Sequence, residues 1–200
     1  GQKAFAYTPP TGFSALATQN LPATDPLYTG TAAQYRAGVQ VFGATLNADS
    51  GGNFDYCYRV EVDAAGIADQ SFNYIRFKLE GPTTEGTDID NCYVGTRASA
   101  NVYTGDQVAV TVNGSASFTI PAGGEIFTDW LPFSGDGTAG VIVGFDISSN
   151  TGADTQRYNG TVTNCNTYRK ASSNDANTTA PAGFTTLAGD LWMLNAIEVQ

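Results

Sequence analysis

Histidine is absent from all 200 residues, and this gap removes a large part of enzyme chemistry. Ser-His-Asp and Cys-His nucleophile activation both need an imidazole that titrates near neutrality. The usual zinc and copper sites lose their commonest ligand as well. Acid–base work by carboxylates stays open. Positive charge is also scarce, with 9 Lys and Arg against 19 Asp and Glu, a formal charge of −10 and a pI near 4.1. Such a surface repels the phosphates of nucleic acids and of anionic lipids, so neither is an expected partner. The carboxylates run along the whole chain rather than forming a tail, as they do where charge serves solubility. No apolar run approaches the roughly 18 residues of a membrane-spanning helix.

Cysteine occurs three times, at Cys57, Cys92 and Cys165. The three lie far apart without CxxC spacing, which argues against a zinc cluster. An odd count allows one disulfide plus a free thiol, or three buried thiols. The chain opens Gly1-Gln2-Lys3 without methionine, which reads as a fragment or a processed product.

What is present is a turn-rich β composition. There are 23 glycines, only 14% of residues are charged, and 42% are still apolar, enough to build a core. Val39 to Leu46, Tyr56 to Val62, Phe72 to Leu79, Ile89 to Thr96, Gln107 to Val112, Ser115 to Ile120, Ile126 to Phe133, Val141 to Ile147 and Leu191 to Val199 read as strands from their alternation and flanking turns. In the second of these, Tyr56, Tyr58, Val60 and Val62 share one face, and Cys57, Arg59 and Glu61 share the other. Thr161 to Ala171 is polar and reads as an edge strand, followed by a long loop from Ser172 to Gly189. Asn113-Gly114 is the strongest hairpin signal, because a type I′ turn needs positive φ at two successive residues. The expected fold is all-β, an antiparallel, jelly-roll-like sandwich spanning residues 38–200. Residues 1–37, cut by Pro9-Pro10, Pro22 and Pro26, read as an N-terminal arm or linker outside its core.

Three constellations are candidates for chemistry. Asp88 and Asp90 share a strand face and could bind Ca²⁺ or act as an acid pair, against the plainer reading of a solvated strand end. The loop NADSGGNFD offers Asp49, Asn53 and Asp55 as hard oxygen ligands around Gly51-Gly52, so a structural Ca²⁺ is considered there beside an ordinary turn. Aromatics make up 12% of the chain, and sugars stack their C–H faces on exposed rings. Tyr103, Tyr158 and Tyr168, together with Tyr28 and Tyr35, sit in polar or loop contexts and are the candidate carbohydrate contacts. Trp130 and Trp192 lie in apolar runs and read as core. Three triplets, at Asn113, Asn159 and Asn177, fit the N-glycosylation pattern. No P-loop, dinucleotide fingerprint or nucleophile elbow is present.

The stretch GQKAFAYTPPTGFSALATQNLP resembles the C-terminal end of SPRY-type modules in bacteriophage tail and fibre proteins. The pieces YIRFKLEG, IDNCYVGTRA, VAVTVNGSASFTIPAGGEIFTDWLPF, VIVGFDI and LWMLNAIEV resemble a β-sandwich module of phage tail-associated proteins, one that also stands beside extracellular hydrolase domains. The resemblance covers strand pattern and turns and brings no catalytic motif. It implies an exposed location, on a virion surface or outside the cell. That module has Val or Ala near position 92, where this chain has cysteine, and this departure implies an acquired disulfide between Cys92 and Cys165 with Cys57 free; three reduced thiols are the alternative. The function expected is therefore non-enzymatic, without a cofactor. The chain would be a structural or receptor-binding part of a phage tail, fibre or similar assembly. It would contact host-surface glycans or neighbouring virion proteins, and it would work as a homo-oligomer. A carbohydrate-binding accessory module of a secreted hydrolase is the alternative.

Overall fold

Alternation in the sequence becomes two sheets facing each other across one apolar core. The structure is a computed structural model and describes residues 38–50, 55–67, 71–147, 155–171 and 174–200. The expected N-terminal arm lies outside these residues.

The strands in chain order are β1 (Val39–Gly43), β2 (Ala48–Ser50), β3 (Tyr56–Val62), β4 (Phe72–Glu80), β5 (Thr87–Ser99), β6 (Val102–Tyr103), β7 (Val108–Ala109) and β8 (Phe118–Ile120). Then come β9 (Glu125–Phe127), β10 (Leu131–Gly135), β11 (Val141–Ile147), β12 (Gln156–Asn159), β13 (Cys165–Ala171), β14 (Thr185–Ala188), β15 (Leu191–Trp192) and β16 (Leu194–Val199). The helical content among the described residues is a single turn, α1 (Ala64–Ile67). A five-stranded sheet runs β1-β16-β4-β10 with β9 also on β4. An eight-stranded sheet runs β14-β13-β3-β11-β5-β6, with β7 and β8 also on β5, and β15-β12-β2 form a small third sheet. Every strand pairing is antiparallel. The chain crosses between the two main sheets from β3 to β4, from β4 to β5, from β8 to β9 and from β10 to β11, as a jelly-roll-like sandwich requires.

The core follows from register. Ile75, Phe77 and Leu79 of β4 and Ile197 of β16 pack in one cluster with Tyr58 and Val60 of β3, Val94 of β5 and Val143 and Phe145 of β11. Cross-strand partners share a face, so Val60↔Val143↔Val94 form one apolar row across the large sheet.

Several expectations are refined. The turn at Asn113-Gly114 has φ of 52° and 78°, and Val112 bridges Ser115 across it, so the type I′ reading holds. Its arms, however, pair mainly along β5 rather than with each other. The final strand is interrupted by Met193 at φ 61°; this left-handed residue steps the chain from β15 in the third sheet to β16 in the five-stranded one. The polar strand β13 is not an edge, because β14, within the stretch read as a loop, pairs along its outer side.

The Cys92–Cys165 bridge is absent, and all three cysteines are free and buried. Cys165 pairs with Val62 of β3, whereas Cys92 pairs with Phe145 of β11. Three strand spacings separate the two, roughly 14 Å, and they are out of register as well. A disulfide needs Cα atoms within about 7 Å. Burial supplies the shelter that the polar sequence around Cys165 concealed, and it pushes that thiol up to about 12.

Candidate functional site

At the end of the sandwich where β4 begins and β10 ends lies an open cleft of about 520 Å³. Ser71, Phe72 and Asn73 come from the start of β4. Phe133, Ser134 and Gly135 come from the end of β10, Asp136, Thr138, Ala139 and Gly140 from the loop SGDGTAG, and Val141 and Thr96 from β11 and β5. The floor is apolar. Phe72 and Phe133 are buried and stack with centroids 6.4 Å apart at 30°. Gly135 makes this floor possible, because a Cβ there would stand 2.3 Å from the Phe72 ring.

The rim is polar and exposed, with hydroxyls from Ser71, Ser134 and Thr138, the Asn73 amide and the Asp136 carboxylate. Asp136 closes its own turn. One carboxylate oxygen accepts the Thr138 N–H at 2.9 Å and the Thr138 hydroxyl at 2.6 Å. The Thr138 hydroxyl bond, with the backbone bond behind it, holds the carboxyl below its ordinary value. Thr96 donates both its N–H and its hydroxyl to Asp106, so toward the cleft its hydroxyl oxygen can only accept. Among the described lining residues there is no lysine, no arginine and no second carboxylate.

The residues singled out from the sequence lie elsewhere. Tyr103 and Tyr168 are 1% and 6% exposed and present no open ring to a sugar. Both pack on the outer face of the large sheet. Tyr103 donates its hydroxyl to the Ala176 carbonyl at 3.0 Å beneath the Arg59 guanidinium. Tyr168 stands beside Glu61, and burial pushes its hydroxyl up. Tyr158 is half-buried and stacks on Trp192 at 4.7 Å, which in turn stacks on Tyr58 at 5.0 Å. The loop reading failed for Tyr103 because residues 174–179 fold back over it. Tyr28 and Tyr35 lie outside the described residues. Trp192 is core as expected. Trp130 is not: it is half-buried and lies with Phe127 against Arg76 on the outer face of the five-stranded sheet.

Of the calcium candidates, Asn53 lies outside the described residues. Asp49 is already committed, accepting from Arg157 at 2.9 Å and from the Thr83 N–H and hydroxyl. Burial pulls its carboxyl upward, but these bonds outweigh it and hold the group below its ordinary value. Asp55 is exposed at φ 60°. Among the described residues no three acidic or cysteine side chains gather as a metal-binding group. Asp88 accepts the Thr119 hydroxyl, and Asp90 is exposed on the same strand.

In the sequence, residues 134–140 read as the connection between two strands, with Asp136-Gly137 as a weaker calcium-loop candidate. The one cue it held was the spacing of three glycines around a single acid, which alone does not distinguish a cleft wall from an ordinary loop. No protein family matches the chain, and no curated protein matches it.

Proposed function

We propose that this chain is a non-enzymatic binding domain of an exposed assembly, a structural or receptor-binding part of a phage tail, fibre or comparable extracellular structure, and that it grips a surface glycan in the cleft between β4, β10 and β11. The observation that carries the reading is the composition of that cleft. It has a rim of hydroxyl, amide and carboxylate groups for a sugar's hydroxyls, above two packed phenyl rings. With Asp136 as the single carboxylate of the described lining, hydrolysis by a carboxylate pair has no second member there. The phage setting rests on the sequence resemblance.

A glycan array probed with the full chain tests the reading, together with its mass in solution by sedimentation. Array binding that weakens tenfold or more in Asn73→Ala supports it, and a stable oligomer favours the fibre setting over a monomeric accessory module. Binding unaffected by the substitution, or no binding to any glycan, overturns the proposed site.

A further inference from the structure

We propose that Asp136 determines the specificity of the cleft, confining its ligand to uncharged sugars and excluding those that carry a carboxylate. The inference rests on the glycan reading above and adds to it the ligand's charge class.

The geometry begins with the loop. The Thr138 N–H and hydroxyl both meet one oxygen of Asp136, which fixes the side chain at the rim as an Asx turn. The other oxygen, Oδ2, takes neither Thr138 bond and can accept a ligand hydroxyl. A bond from a neutral hydroxyl to a carboxylate is short and roughly twice as strong as one between neutral groups. A ligand carboxylate in the same place meets a fixed like charge instead, and the described lining residues include no lysine or arginine to offset it. The remaining rim groups are neutral: Ser71 and Asn73 can donate as well as accept, while the Thr138 and Ser134 hydroxyls donate to Asp136 and Asn73 and offer their oxygens as acceptors. The whole molecule adds to the effect, since a net charge of −10 lowers the local concentration of any anion.

The test uses matched pairs that differ only at C6, methyl β-glucopyranoside against methyl β-glucopyranosiduronate and the corresponding galactose pair. Each is titrated into the ¹⁵N-labelled full chain while the backbone amides of residues 134–140 are followed by NMR. The expected result is that neutral members shift these amides and that uronates bind at least tenfold more weakly. In Asp136→Asn, which can keep the Asx turn, the gap between the members of a pair closes to within about threefold. Equal binding of neutral and anionic members to the native chain overturns the charge selection and leaves the glycan reading standing. A gap that persists unchanged in Asp136→Asn removes Asp136 from the role. If no sugar shifts these amides, the glycan reading fails and the inference fails with it.

Discussion

Asp146 sits mid-sheet on β11, opposite Cys57 of β3, and its carboxylate accepts the backbone N–H groups of Asp175 and Ala176. Arg59, Tyr103, Cys92 and the Asp175 carboxylate complete its charged and titratable surroundings. Burial outweighs the hydrogen bonds and pushes its carboxyl above the ordinary 3.8. The folded protein therefore holds this proton to a higher pH than the unfolded chain does. Between the ordinary and the raised value the native state binds more protons, so this group's contribution to stability falls as pH rises. Asp146→Asn keeps an acceptor for the two N–H groups and removes the titration. The unfolding free energy of the native protein minus that of the variant is expected to decline from pH 4 upward, and a flat or rising difference contradicts the assignment. The cysteines give a second test at this scale. All three are 4% exposed or less, so they resist alkylation in the folded protein. Once the protein is unfolded without reductant, three labels are expected by mass spectrometry, whereas a single label would restore the Cys92–Cys165 bridge.

At the scale of elements, the strap of residues 174–179 explains most of what the sequence concealed. Strand β3 alternates as a half-exposed strand should, yet Cys57, Arg59 and Glu61 are as buried as Tyr58, Val60 and Val62. Alternation shows that two faces differ, and it cannot show that a distant loop covers the polar one. Arg59 holds that cover in place. Its guanidinium donates to the carbonyls of Asn101, Asp175 and Thr178 and lies 4.3 Å over the Tyr103 ring. Lys170 adds an ion pair to Asp175 at 2.5 Å. Hydrogen bonds from a charged donor contribute about 1.5–3 kcal/mol each, and carbonyls freed by the loss of Arg59 recover part of that from water. Arg59→Met is therefore expected to lower stability by about 3 kcal/mol in urea unfolding and to open residues 174–179 to proteases. A loss under about 1 kcal/mol would show that the strap is held by other contacts. Strands with strong local signals were legible: β3 and β11 have the bounds their alternation predicts, and the Asn113-Gly114 turn has the φ values its residue types demand. The short strands β2 and β12 were not legible, because pairing partners far away in sequence create them, and the four-residue β14 carries too short an alternation to stand out from its loop. The cleft was illegible for the same reason, since β4, β5, β10 and β11 supply its wall from opposite sheets.

For the whole molecule, the buried cluster is built from residues between Phe42 and Val199. Among the described residues no helix is long and apolar enough to cross a membrane. A chain reduced to residues 38–200 is expected to fold with the same cooperative unfolding transition. Loss of that transition would place residues 1–37 in the core after all. The central claim is that the end cleft is where this protein meets its ligand, and a blocking substitution tests it most directly. Ser134 is exposed on the cleft wall, so Ser134→Trp fills the space with little demand on the core. Titration of the best array glycan into both proteins, with their circular dichroism spectra matched, decides the matter. The account predicts at least a tenfold loss of affinity in Ser134→Trp, and an affinity equal to that of the native chain would contradict it.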